Sequence, residues 1–267
     1  MSRDPAGATP ILVLEGVSKT FVNLAGQPVQ AVKPTSIAVH AGEIVVIVGE
    51  SGSGKSTLGR IALGIIPPDR GTVRVMGQDW ARMGRAERRS HRALIQPIFQ
   101  DPTTSLNSRR SIRSLLRQAS WPHGGGYEAV ALELLDSVGL RPADSFLDRY
   151  PHELSGGQRQ RLAIARALAM RPSVIVADEP LSGADVSVRG QVLNLLMEIR
   201  RQRQVSYLMI THDMTIARQF ADRVAVMRHG EIVEQGEAAQ VVAHPQHDYT
   251  RLLLQVSGRA AGGARGP

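Results

Sequence analysis

The chain has 267 residues, room for one large α/β domain or two small ones. Hydrophobic residues make up 42% and charged residues 21%, which excludes a disordered, collagen-like or fibrous chain. Lys and Arg number 32 against 24 Asp and Glu, and the net charge of +8 points to an acidic partner without choosing among nucleotide, nucleic acid and membrane surface. The absence of cysteine excludes disulfides, cysteine-ligated zinc and thiol catalysis.

Residues 1–10 are polar and lack an apolar signal core, so they read as a flexible N-terminus and argue against export. Ile11–Gly16, Thr35–His40 and Gly71–Val75 alternate apolar and polar residues, the pattern of an antiparallel β subdomain. Glu43–Val48, Ile95–Phe99, Val174–Ala177, Tyr207–Ile210 and Arg223–Met227 are apolar runs without alternation, as in strands covered on both faces. Helical patterns follow at Lys55–Ile65, Val186–Arg201 and Met214–Phe220, and the alternation predicts a mainly parallel sheet. The strand signal disappears at about 101–171, where a helical subdomain is expected inside the α/β core. Loops are expected at Asp101–Arg110 and at Ser120–Gly126. Residues 257–267 are rich in Gly, Ala and Arg and read as a disordered tail. No run of about 20 apolar residues occurs, so the chain is not expected to cross a bilayer by itself.

Gly49-Glu50-Ser51-Gly52-Ser53-Gly54-Lys55-Ser56-Thr57 fits the phosphate-loop pattern G-x-x-x-x-G-K-[ST], after an apolar strand and before a helix. Glycines let the backbone wrap phosphate oxygens without a Cβ clash. N–H groups at the helix start point at the phosphates, and the helix dipole favours their charge. Lys55 supplies a cation for the β- and γ-phosphates of a nucleotide, and the Ser56 hydroxyl is a Mg²⁺ ligand. A second Mg²⁺ anchor belongs at the end of a buried strand, and Val174–Ala177 ends in Asp178. Glu179 follows as candidate general base, although two adjacent carboxylates also suit a solvated turn. His212 closes another apolar run, where a lone histidine is more often structural, and Gln100 is a weak signal by itself. Leu154-Ser155-Gly156-Gly157-Gln158 precedes a helical pattern, with Ser155 as N-cap. It forms a second anion-accepting helix end, open to another chain's nucleotide or to no ligand at all.

These motifs occur in the order seen in ATP-binding cassette proteins, which the chain resembles from about Leu12 to Leu254. The resemblance implies two cassettes sandwiching two ATP molecules head to tail, each phosphate loop facing the partner's Leu154–Gln158 segment. Phe21 would stack on adenine, and Gln100 would join Mg²⁺ to the interface with membrane subunits. Asp178 would bind Mg²⁺, Glu179 would polarise the attacking water and His212 would contact the γ-phosphate. Ser155, Gly157 and Gln158 would meet the opposite nucleotide, and Asp185 would also be a nucleotide-binding residue.

Gln100-Asp101-Pro102, Ser105-Leu106-Asn107 and Arg109 resemble ATPase subunits of oligopeptide, dipeptide and nickel importers. So do Asp222–Met227 and His244-Pro245-Gln246-His247 with Tyr249-Thr250. The resemblance implies a peripheral ATPase on the cytoplasmic face of the inner membrane. Its partners would be a second ATPase subunit (a paralogue or a second copy), membrane permease subunits and, indirectly, an extracytoplasmic solute-binding protein; nucleic acid is not expected. Ser182-Gly183-Ala184-Asp185 departs from the usual Ser-Ala-Leu-Asp, a change that bears on the dimer interface. Ser108 and Asp248 stand where prolines are common. The alternative is a non-transport cassette ATPase, in a phosphonate-cleaving complex or associated with nucleic acid. The basic segment Arg82–Arg92 reads as a solvated helix face.

Overall fold

The computed structural model describes residues 9–120, 126–182 and 186–262. The chain begins with strands β1 (Leu12–Val22), β2 (Pro28–Val39) and β3 (Ile44–Val48), helix α1 (Lys55–Ala62), and strands β4 (Arg70–Val75) and β5 (Gln78–Asp79). Next come α2 (Arg85–Leu94), β6 (Ile95–Ile98), α3 (Ile112–Ser120), α4 (Tyr127–Ser137), α5 (Gly156–Leu168), β7 (Val174–Asp178) and α6 (Val186–Arg203). It ends with β8 (Ser206–Thr211), α7 (Met214–Phe220), β9 (Arg223–Arg228), β10 (Glu231–Glu237), α8 (Ala238–Ala243) and α9 (Asp248–Gly262). These elements form two compact units, one from the chain up to Gly84 and from Ser206 onward, the other from Arg85–Val205.

The first unit holds an antiparallel sheet in the order β2-β1-β4-β5. Its alternating strands bury Leu12, Leu14, Ile37, Val39, Val73 and Val75. The unit also contains the strand order β10-β9-β3-β8, in which β3 runs parallel to both β8 and β9 while β10 is antiparallel to β9. Every residue of β3 and β8 is buried, as their unbroken apolar runs require of strands covered on both faces.

In the second unit β6 and β7 pair in parallel, with Ile95 opposite Val174 and Ile98 opposite Ala177. Between them the described residues contain only helices and turns, in agreement with the helical segment expected there. Helices α3, α4 and α5 pack on one another, and Leu115, Leu116, Leu134, Leu135, Leu162 and Ile164 on them are buried. The unit is wider than 101–171 because β6, β7, α2 and α6 belong to it. Helix α2 buries only Ala93 and exposes its arginines, as a solvated face does.

Two differences from the sequence reading stand out. Helix α9 continues to Gly262, into the segment expected to be a tail from Ser257. Weak local propensity there is overridden by propagation from a helix already anchored upstream, since adding a residue to an existing helix costs little. Strands β5 and β10 were not anticipated, because neither carries a buried apolar run. Most of the expected flexible N-terminus, the last residues of the expected tail and the Gly-rich part of the Ser120–Gly126 loop lie outside the described residues. Leu116 is fully buried, so Leu116→Ala is expected to cost roughly 2–5 kcal/mol of unfolding free energy in urea denaturation. Arg89→Ala on the exposed face of α2 should change it by less than about 0.5 kcal/mol.

Candidate functional site

The phosphate loop lies in the first unit, between β3 and α1. Gly49 leaves the buried strand at a point where any Cβ would lie 2.1 Å from the Met227 carbonyl oxygen. Gly54 caps α1 with φ of 101°, and a Cβ there would lie 2.2 Å from the Ala31 carbonyl oxygen. Both positions therefore require glycine, for close approach and for the left-handed backbone. Lys55 opens the helix and is only 4% exposed. Its Nζ donates to Gly49 O at 2.8 Å, to Glu50 O at 2.7 Å and to Ser53 Oγ at 3.4 Å. Ser53 O in turn accepts from Gly230 N at 3.0 Å, tying the loop to the β9–β10 turn. Ser56 and Thr57 follow in the first turn, half-buried, while Ser51 and Gly52 are exposed at the loop tip.

The same unit carries Phe21 and His212. Phe21 lies near the end of β1, opposite Val29 of β2 and 40% exposed, beside the strand whose Ala31 meets the loop. Lys19 sits 5.8 Å from its ring centroid and pairs with Asp69 at 2.7 Å. Asp69 also accepts from Thr20 N at 2.7 Å. The Lys19 hydrogen bond, then the Thr20 N–H, hold the Asp69 carboxyl below its usual range. His212 follows β8, whose Thr211 stands opposite Val48. His212 and Gly49 therefore leave the same edge of the parallel pair, and His212 is exposed there.

The second unit carries the remaining candidates. Asp178 is the last residue of β7 and half-buried. Glu179 follows with φ of 46°, a left-handed conformation rare for a side chain of this size, which turns it sharply out of the strand. Strain of this kind persists where surrounding bonds over-determine it. Here Ser182 N donates to Glu179 O at 3.1 Å, and the buried Gln160 donates to Pro180 O at 2.8 Å. Gln100 lies two residues beyond β6, on the same strand edge as Glu179 by the β6–β7 register, and donates to Ser182 Oγ at 3.1 Å. Helix α5 begins with a capping box: Ser155 Oγ accepts from Gln158 N at 3.3 Å, and Gln158 Oε1 accepts from Ser155 N at 2.9 Å. Ser155 is thus the N-cap, and a Cβ on Gly156 would meet only open space. Asp185 and the departing Gly183-Ala184 pair lie outside the described residues.

Three positions at these sites escaped the sequence reading. Asp69 holds the strand bearing Phe21, Gln160 holds the turn after Glu179, and Tyr249 Oη accepts from Glu50 N at 3.0 Å in the phosphate loop. Tyr249 was visible only as part of a subfamily motif, and nothing in its spacing pointed to the loop.

A protein-family model described as "ABC transporter" matches residues 32–182, more than half of the chain. The chain belongs to the ABC transporter family. This cassette is 45% identical over 229 residues to the oligopeptide transport ATP-binding protein OppD of Mycobacterium bovis, covering 85% of this chain and 37% of OppD. It is 43% identical over 255 residues to the glutathione import ATP-binding protein GsiA of Salmonella choleraesuis, covering 92% of this chain and 41% of GsiA. The chain therefore spans less than half the length of these two relatives. The oligopeptide transport ATP-binding protein OppF of Streptococcus mutans is 40% identical over 249 residues, 91% of this chain and 80% of OppF. Among solved structures, a dimeric ATP-binding cassette in a post-hydrolysis state bound to ADP and Pi matches 85% of this chain and 98% of its own, with TM-score 0.75 and 29% identity. The cbiO1 protein of Clostridium perfringens, part of an ABC transporter complex, matches 94% of this chain and 99% of its own, with TM-score 0.77 and 26% identity.

The cassette's donor set fits its expected ligands. Gly49 and Gly54 let the loop pack directly against Met227 O and Ala31 O, which holds it at a helix N-terminus suited to phosphate. No cluster of three or more His, Asp or Glu side chains that could cage a metal occurs among the described residues. Within the first unit the half-buried Ser56 hydroxyl is a hard oxygen donor, of the kind that suits Mg²⁺ sharing its shell with phosphate and water. Gly54→Ala places a Cβ against Ala31 O at a left-handed position. It is expected to destabilise the chain by more than about 1 kcal/mol in denaturant titration and to abolish nucleotide binding by equilibrium dialysis.

Proposed function

We propose that this chain is the ATP-hydrolysing, nucleotide-binding subunit that energises an importer of peptides or a related solute. The observation that carries this reading is the phosphate loop itself. A buried Lys55 stands at a helix N-terminus, inside a loop whose Gly49 and Gly54 leave no room for side chains. The names of OppD, OppF and GsiA direct the reading to peptide import.

In this reading Lys55 and the N–H groups at the start of α1 bind the β- and γ-phosphates, and Phe21 stacks on the adenine. Ser51, Gly52, Ser53 and Thr57 complete the loop around the phosphates. Ser56, Asp178 and Gln100 would hold Mg²⁺, with Gln100 linking it to the interface with the membrane subunits. When bound, the ion neutralises charge on the phosphate oxygens. A Glu179 carboxylate oxygen accepts a proton from the attacking water, and His212 donates to the transferring phosphoryl group. The work is mostly positioning and electrostatics, since phosphoryl transfer needs little covalent help from the protein.

The second anion-accepting end, at Ser155, Gly157 and Gln158, serves the nucleotide of a partner cassette in a head-to-tail dimer, and Asp185 is a further nucleotide-binding residue. The partner is a paralogous ATPase or a second copy. No helix among the described residues is long and apolar enough to cross a membrane. In this reading permease subunits carry the solute, an extracytoplasmic binding protein delivers it, and this subunit works peripherally at the cytoplasmic face.

Glu179→Gln keeps the shape of the site but removes the base. It is expected to bind ATP as the unaltered chain does, lose about a hundredfold or more in turnover, and accumulate a closed dimer on size exclusion in ATP. Turnover within about twofold of the unaltered chain would remove Glu179 from this role. Co-purification with membrane permeases tests transport, and capture of soluble enzymes or nucleic acid instead would overturn it.

A further inference from the structure

We propose that Tyr249 is a positioning residue for nucleotide binding: its phenol oxygen fixes the Gly49–Glu50 peptide, so that Lys55 reaches phosphate from a loop already in its binding shape. This rests on the reading of the loop as an ATP site.

The peptide joining Gly49 to Glu50 is held at both ends. Its carbonyl accepts from Lys55 Nζ at 2.8 Å, and its N–H donates to Tyr249 Oη at 3.0 Å. The two bonds answer an arriving anion differently. Lys55 must turn its ammonium from carbonyl oxygens towards phosphate, which releases the carbonyl end. The Tyr249 bond leaves the opposite edge of the same planar peptide and has no reason to break. It then holds the plane while Lys55 is engaged elsewhere. The tether matters at this position because Gly49 has the widest backbone freedom of any residue type. A rotated peptide would bring the Gly49 carbonyl, with its negative end, to bear on phosphate oxygens.

Tyr249 is itself fixed by bonds that do not involve the loop. Its side chain is 2% exposed, and the Arg228 guanidinium lies 4.7 Å from its ring centroid. Its own N–H donates to His247 Nδ1 at 3.0 Å. The N–H groups of Gln246 and His247 donate to the Glu234 carboxylate on β10, at 2.8 and 3.0 Å. The oxygen's position is therefore set by the β9–β10 hairpin and the turn before α9. Burial pushes the phenol up from its ordinary value, with the Glu50 carboxylate adding to the effect, so the group stays neutral wherever the loop would bind nucleotide.

The test uses the whole 267-residue chain with Mg²⁺ and the β,γ-imido analogue of ATP. Tyr249→Phe removes one oxygen and keeps the ring against Arg228. It is expected to weaken analogue binding about fivefold, the equivalent of one net hydrogen bond. Hydrogen exchange at the Glu50 amide should speed up in the bound state while exchange in α9 stays unchanged. Tyr249→Leu, which also removes the ring, should lose the same affinity and lower the thermal midpoint further. Analogue binding by Tyr249→Phe equal to that of the unaltered chain overturns the proposal. So does a loss of affinity accompanied by faster exchange throughout α9, because the tyrosine would then only be holding the helix. Failure of the unaltered chain to bind the analogue at all refutes the ATP reading, and the proposal with it.

Discussion

An ammonium group taken out of water costs several kcal/mol unless its donors are met. Lys55 is almost fully buried, and backbone carbonyls with one hydroxyl meet its donors. Much of the first unit serves that arrangement. Strand β3 must deliver Gly49 between neighbours that allow no side chain. Gly54 must adopt a left-handed turn against Ala31, and Ser53 must be held by the β9–β10 turn. The same geometry leaves the ammonium beside a helix N-terminus, where the helix dipole favours an anion. The loop thus satisfies its own cation internally with bonds that phosphate can replace.

A second regularity is the register of the parallel strands. In the first unit, Val48 opposite Thr211 brings Gly49 and His212 to one edge. In the second, Ile98 opposite Ala177 brings Gln100 and Glu179 to one edge. In both units the chemistry-bearing residues leave the carboxyl ends of buried strands, where open α/β sheets hold their ligands. Helices then fix the turns beyond those ends. Gln160 of α5 holds Pro180 just after the strained Glu179, so the helix that presents the Ser155–Gln158 end also braces the carboxylate turn.

The basic composition takes on a narrower meaning. The cation that the loop is built around is Lys55, whereas α2 exposes its arginines and Arg113 and Arg201 sit in surface ion pairs. Such exposed pairs contribute little to stability. The excess charge is mostly a property of the surface and not of the site.

The amino-acid sequence by itself determined the buried strands, the phosphate loop and the order of the site residues. Unbroken apolar runs suit only strands covered on both faces, and the loop's residue types follow from the demands of phosphate. It did not reveal edge elements such as β10, whose half-exposed residues carry no apolar signal, or the last turns of α9, which propagate from an anchored helix despite poor composition. Tertiary structure alone decided the braces: Asp69 on the Phe21 strand, Gln160 on the Glu179 turn, and Tyr249 on the loop 199 residues earlier in the chain. A hydrogen bond between distant segments leaves no local periodicity, so its partners become visible only when folding brings a donor and an acceptor to the same place.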